Sequence, residues 1–316
     1  MTLAEKVLAG DVQAAARLIS RIEDESPDVH VEMDAIYPHT GQAYILGVTG
    51  APGVGKSTLT DNLIGFFRRQ GKTIGVIAID PTSALTGGAI LGDRVRMQRH
   101  STDSGVFIRS LATRGWTGGL ARAAIGAVHV MDALGRDIVI VETVGSGQIE
   151  IDIVRAADTT LVVLAPGAGD EIQTMKAGIL EAADILVVNK ADKEGADRLK
   201  SDLEFMLALK ESHSGDWGVP VVMTEAKNDK GTEELAGAIT GHRDFLVKSK
   251  ELPGRRKERA KLELLEAVEG YVRDYLSRID GGGYLDKLVD DLLNGKTNPQ
   301  RAAREITRRL TGSLDK

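Results

Sequence analysis

Four residues in the stretch GVTGAPGVGKSTLTDNLI are spaced for gripping phosphate: Gly50, Gly55, Lys56 and Ser57 stand in the order G-x-x-x-x-G-K-[ST]. Glycines let a backbone curl until its N–H groups face inward at phosphate oxygens. A helix opening at the lysine adds the positive end of its dipole. Lys56 has the reach for the outer phosphates, and Ser57 has a hydroxyl that can ligate Mg²⁺. Pro52, Gly53, Val54 and Thr58 complete the set expected to surround the nucleotide phosphates. An apolar run precedes the motif and an amphipathic run follows, which is the strand-loop-helix context such a loop requires.

A second constellation, VVNKAD, places Asn189, Lys190 and Asp192 at the end of another apolar run. An aspartate here can accept both hydrogen bonds from N1–H and N2–H₂ of guanine. Adenine lacks that donor pair and would leave the carboxylate unpaired. Lys190 can lay its alkyl stem over the base while Asn189 braces the loop and the base edge. In the later TEAKNDKG loop, Ala226 is the candidate to offer a backbone N–H to guanine O6.

Three carboxylates have the placement to serve a metal. Glu142 closes the run DIVIVE, Asp80 closes VIAID, and Asp93 lies on the glycine-bearing segment TGGAILGDRVRM. Together with Ser57 they form the expected Mg²⁺ set, acting directly or through waters that Mg²⁺ retains. Gly145, three residues beyond Glu142, is placed to bond a γ-phosphate and release it after hydrolysis, as switch segments do. Many small GTPases carry a water-orienting glutamine directly after that glycine. Here Ser146 takes the position and Gln148 follows two residues later. Slow intrinsic hydrolysis is therefore expected, with Arg94, Glu150 or Lys176, or a partner, completing the site.

These residues need a scaffold that brings strand ends together. AYILGVTG, TIGVIAID, DIVIVET, TTLVVLAPG, ADILVVNKAD and VPVVMTEA are short, nearly continuous apolar runs. Such runs are strands buried on both faces, with helices such as STLTDNLIGFFRRQG and TEELAGAITGHRDFLVKS between several of them. The pattern predicts an α/β fold of the P-loop NTPase kind, a doubly wound, mostly parallel sheet with N- and C-terminal helical extensions. Ligands of such sheets gather at the carboxyl ends of the strands. Expected boundaries are 1–40 for an N-terminal helical extension, 41–250 for the nucleotide domain and 251–316 for a C-terminal helical region. The first part reads as two short helices, with Gly10-Asp11 as stop and N-cap, followed by a linker or a loosely packed connection at SPDVHVEMDAIYPHTGQ. The last part reads as a long amphipathic helix and two shorter ones separated by a Gly and Asn-Pro break. The long helix needs somewhere to bury its apolar face, either against the nucleotide domain or in self-association.

Composition narrows the class. With 316 residues, 42% of them hydrophobic, the chain can bury a sizeable core. A net charge of −6 carries no electrostatic signature of nucleic-acid binding. No apolar run has the length of a membrane span, and the first twenty residues do not read as a signal peptide. Cysteine is absent, which excludes disulfides and thiolate metal sites within the chain. A cytoplasmic protein is the simplest expectation.

Beyond the short motifs, the strings LAGDVQAAARLISRIE, AIDPTSALTGGAILGDRVRM, RSLATRGWTGGLA, VETVGSGQIEIDI, PGAGDEIQTMKAGILEAADILVVNKAD and NPQRAAREI closely resemble the MeaB/ArgK family of G proteins over almost the whole chain. The resemblance implies Mg²⁺-dependent GTP hydrolysis to GDP and phosphate. It implies a metal and phosphate site at Lys56, Ser57, Asp80, Asp93 and Glu142, with guanine read by Asn189, Lys190 and Asp192. It also implies a mobile switch at GDEIQTMKAG, in which Lys176 joins Lys56 and Glu142 as a catalytic candidate. The implied partner is an adenosylcobalamin-dependent methylmalonyl-CoA mutase, whose cofactor delivery is gated and which is protected. The implied assembly is a homodimer built partly by the C-terminal helices. Ile149 departs from the small polar residue expected after Gln148. Two other readings share the motifs: a nickel-type maturation GTPase, for which the six scattered histidines offer no close ligand pair, and a nucleotide-dependent binding switch with little turnover.

Overall fold

Valine- and isoleucine-rich runs without polar alternation need cover on both faces, and the fold supplies it. The computed structural model describes residues 1–80, 98–112, 119–143, 157–167, 180–209, 215–279 and 283–314. Among these, seven strands form one sheet: β1 (Tyr44–Thr49), β2 (Ile74–Asp80), β3 (Val106–Ala112), β4 (Ile138–Glu142), β5 (Thr159–Leu164), β6 (Ile185–Asn189) and β7 (Val221–Thr224). Their order is β3-β2-β4-β1-β5-β6-β7, with every neighbouring pair parallel. Every residue of β1, β4, β5 and β6 is buried.

One sheet face is covered by α1 (Leu3–Leu8), α2 (Val12–Glu23), α3 (Val29–Ile36) and α5 (Gly119–Ala133). Leu18, Ile19, Ile36, Ile77 and Met131 meet there in one cluster. The other face is covered by α4 (Lys56–Arg69) and α7 (Thr232–Lys248), whose Leu59, Leu63, Leu235 and Ile239 pack against Leu46, Val48 and Val163. α6 (Ala196–Ala208) packs Leu199 and Leu203 with Val162, Leu186 and Val188. Each fully buried leucine or isoleucine in these layers contributes about 1.5–3 kcal/mol.

Asp11 caps α2 as its position after Gly10 predicts, accepting from the N–H groups of Gln13 (2.8 Å) and Ala14 (3.0 Å). Two expectations need correction. The stretch read as a linker contains α3 and a 3₁₀ turn at Tyr37–His39. It is tied down by buried Ile36 and by Glu32, whose carboxylate accepts from Ala4 N at 2.6 Å. The edge strand β3 was not expected. Its sequence VFIRSLA interrupts the apolar run with Arg109, which reaches across to Ser20 Oγ and Glu23 Oε2 on α2, both at 2.8 Å.

Close contacts divide the chain into Met1–Lys261 and Leu262–Lys316. The first unit includes the opening turns of α8 (Leu252–Arg278). Arg255 there forms a fork on Asp184 at 2.8 and 2.9 Å. Arg256 and Arg259 hold the buried Asp158 at 3.3 and 3.2 Å. Both aspartates precede their strands, at the amino ends of β6 and β5. In the second unit α9 (Gly283–Leu293) and α10 (Pro299–Leu314) bury Tyr284, Leu288 and Ala302 with Leu276, Ile279 and Ile306. Asn298 caps α10 through the Arg301 N–H at 2.9 Å, at the predicted Asn-Pro break. Among the described residues no helix is long and apolar enough to cross a membrane.

Candidate functional site

Parallel pairing sends all the predicted site elements to one edge. Val48 and Ala78 stand in register with Glu142, and Asn189 with Thr224, so the loops after β1, β2, β4, β6 and β7 leave the sheet on the same side. β1 lies between β4 and β5, where the strand order reverses, the usual ligand position in such sheets.

The loop between β1 and α4 is shaped by what its glycines leave out. Gly50 has φ +142°, and a Cβ there would sit 2.1 Å from the Val163 carbonyl oxygen. At Gly55, φ +101°, a Cβ would sit 2.3 Å from Asn189 Nδ2. Lys56 is buried, and its ammonium donates to the carbonyls of Gly50 (2.6 Å) and Ala51 (3.0 Å). A cation folded over the loop in this way is placed to turn onto an anion held by the same loop. Ser57 Oγ, also buried, donates to Glu142 Oε1 at 2.5 Å. Thr143 fixes the end of β4 against β1, its N–H on the Val48 carbonyl at 3.0 Å and its hydroxyl on Thr49 Oγ1 at 3.1 Å.

The oxygen pair of Ser57 and Glu142 fits Mg²⁺, a hard cation that accepts few protein oxygens beside phosphates and water. Among the described residues no group of three or more His, Asp or Glu gathers into a metal cage.

Asn189 joins the phosphate loop to the loops at the right-hand strands. Its Nδ2 donates to the Val54 carbonyl at 2.8 Å, while its Oδ1 accepts from Thr224 Oγ1 at 3.1 Å and from Ala226 N at 3.0 Å. The Ala226 amide, expected to face a purine oxygen, is therefore engaged by Asn189. Lys190 adopts a left-handed backbone, φ +57°, an uncommon state for a non-glycine residue. Its ammonium donates to the Gly53 carbonyl at 2.8 Å, so its stem crosses towards the phosphate loop. Asp192 is half-exposed, 3.5 Å from Lys193.

Lys56, Ser57, Glu142, Asn189, Lys190 and Ala226 are thus brought together. Asp80 closes β2, and its side chain lies outside the described residues. Asp93, Gly145 and Lys176, with Arg94, Gln148, Ile149 and Glu150, also lie outside them.

Asn62 on α4 was not anticipated. It is buried, donates to the Ala226 carbonyl at 2.7 Å and accepts from Arg99 Nη2 at 2.8 Å. Its neighbour Asp61 is also buried; burial pushes its carboxyl up, against the opposing pull of Arg99 and His100. The available signal was the triplet Thr60-Asp61-Asn62, three consecutive polar residues between Leu59 and Leu63, all of them buried.

The family sequence model described as "Methylmalonyl Co-A mutase-associated GTPase MeaB" matches residues 15–279. A protein of Pyrococcus abyssi named as a GTPase is 47% identical over 312 residues, covering 98% of this chain and 96% of its own. The methylmalonic aciduria type A homolog of Caenorhabditis elegans, named as mitochondrial, is 30% identical across 98% of this chain and 82% of its own. Among solved structures, one named LAO/AO transport system kinase shares the fold, with a TM-score of 0.71 and 24% identity over 98% of this chain and 96% of that one. A family match over most of the sequence, on a sheet that delivers the phosphate loop and the base loops to one edge, shows that this chain belongs to the MeaB family of methylmalonyl-CoA mutase-associated GTPases.

Proposed function

We propose that this GTPase is a Mg²⁺-dependent switch that serves an adenosylcobalamin-dependent methylmalonyl-CoA mutase, gating delivery of the mutase's cofactor and protecting it, with hydrolysis as the timer. The observation that carries the nucleotide part is the buried Ser57–Glu142 contact beside Lys56, joined through Asn189 to the Ala226 turn. The mutase part is supported by the family description and by the name of the nematode relative.

In this reading Lys56 leaves the Gly50 and Ala51 carbonyls for the outer phosphates. The loop from Gly50 to Ser57, with Thr58 on the first turn of α4, supplies inward N–H groups; Pro52 lacks one and serves as a turn residue. Ser57, Glu142, Asp80 and Asp93 would hold Mg²⁺, which when bound neutralises charge at the phosphate oxygens. Gly145 senses the γ-phosphate, and Lys176 acts in hydrolysis when the partner engages. Asp192 reads N1 and N2 of guanine, Lys190 covers the base, and Ala226 shares its amide between Asn189 and O6. Competition binding should show GTP strongly preferred over ATP, with Asp192→Asn erasing the preference and Lys56→Ala abolishing turnover in a folded chain. Equal affinity of the parent chain for GTP and ATP overturns the guanine assignment.

Self-association belongs to the same proposal. Leu264, Leu265, Val268 and Tyr271 stand on α8 at helical spacing, each more than half exposed. Light scattering should give a dimer for the parent chain and a monomer for Leu265→Asp/Val268→Asp. A parent chain that scatters as a monomer removes the dimer from the proposal.

A further inference from the structure

We propose that Asn62 is a positioning residue for the base-reading turn at Ala226, and that Arg99 couples this turn to the chain emerging from residues 81–97. The inference rests on the guanine reading given above and extends it to a residue that touches no nucleotide.

The Ala226 peptide is held from both sides. Its N–H donates to Asn189 Oδ1 at 3.0 Å, and its carbonyl accepts from Asn62 Nδ2 at 2.7 Å. The orientation of the Asn62 amide follows from its partners. Arginine only donates, so Oδ1 must face Arg99 Nη2 at 2.8 Å, and Nδ2 must then face the Ala226 carbonyl, which only accepts. Arg99 is itself fixed to Asp61, one residue before Asn62 on α4, by an ion pair through its Nε. His100 adds a second contact, with Nε2 3.2 Å from Asp61 Oδ1. The short 3₁₀ turn Gln98–His100 is thereby bolted to α4. This turn is the first described segment after residues 81–97, which include the metal candidate Asp93. A shift of the turn reaches Asn62 through the guanidinium, and reaches the Ala226 peptide through Asn62.

The ligand feature at stake is the 6-oxo group shared by guanine and hypoxanthine. Asp192 reads the N2 amine independently of it. Displacing Ala226 should therefore weaken both 6-oxopurine nucleotides together and leave phosphate binding intact.

The test is equilibrium binding of GDP, inosine diphosphate, ADP and pyrophosphate, each with Mg²⁺, to the full chain. Asn62→Asp keeps the size and the Arg99 partner but turns an acceptor onto the Ala226 carbonyl. It should weaken GDP and inosine diphosphate about tenfold each, the equivalent of one net hydrogen bond. Pyrophosphate affinity and the ratio of GDP to inosine diphosphate should not change. Arg99→Lys keeps a cation beside Asp61 and loses the reach to Asn62. It should weaken the same two nucleotides, and its effect should vanish in the Asn62→Asp background, as coupling requires. Arg99 is half-exposed, so its variant carries the test if Asn62→Asp does not fold. Unchanged GDP affinity in Arg99→Lys, additive effects in the double variant, or a parallel fall in pyrophosphate binding overturns the relay. If the parent chain binds GDP and ADP equally, the guanine reading fails first, visibly and without any variant, and the relay falls with it.

Discussion

Replacing Asn189 with alanine should loosen the whole nucleotide edge before any nucleotide is added. The side chain is 2% exposed and makes three hydrogen bonds, to the Val54 carbonyl, the Thr224 hydroxyl and the Ala226 N–H. Alanine deletes all three and strands their partners in a space closed to bulk solvent. At about 1 kcal/mol net per hydrogen bond, the loss is about 3 kcal/mol. For a unit of this size that corresponds to a Tm lowered by roughly 6–12 °C. Thr224→Val removes one arm only and should lower Tm by roughly 2–4 °C. Both tryptophans, Trp116 and Trp217, lie within Met1–Lys261, so a melt followed by tryptophan fluorescence reports this unit alone. An Asn189→Ala protein melting within about 2 °C of the parent, well below the size expected for three lost bonds, would refute the claim that this amide holds the two loops together. So would a Thr224→Val protein that loses as much as Asn189→Ala.

Two further outcomes follow from the same geometry. Gly50→Ala should destroy the phosphate loop, because its methyl would stand 2.1 Å from a β5 carbonyl on a backbone at φ +142°; loss of fluorescent-GDP binding with the fold retained by circular dichroism is expected, and normal affinity would contradict it. Burial holds the His242 imidazole below its usual value of 6.5, outweighing the neighbouring Asp184. The unfolded chain therefore binds the extra proton first, so stability is whole above about pH 6.5 and declines as pH falls below it. His242→Gln should flatten urea-derived stability between about pH 7 and 5, and an unchanged slope would count against the assignment.

The sheet was legible because six of its strands announce themselves as nearly unbroken apolar runs, and β1, β4, β5 and β6 are buried at every residue. β3 escaped because an edge strand satisfies one face differently, here with Arg109 bound to α2. α3 escaped because its fastening is tertiary: Glu32 reaches the start of α1, a contact that no local pattern encodes. In the site, Lys56, Ser57 and Glu142 were readable from motif spacing and strand ends, and they converge. Asn189 was expected to brace its loop, but its grip on Val54, in the loop after β1, joins two residues 135 apart in the chain and depends on how β1 and β6 are placed in the sheet. Asn62 carried no motif at all. Its role depends on two partners more than thirty residues away in sequence, which only the folded chain brings together.

The space vacated at Gly55 has a consequence for how such a pocket can change over time. Asn189 Nδ2 fills the volume that any side chain at position 55 would claim. A glycine usually credited to the triphosphate end therefore also protects the purine end. Mutational drift in one cannot proceed without being felt in the other, so a lineage that retunes its base preference must do so around a glycine whose side-chain space the base loop already occupies.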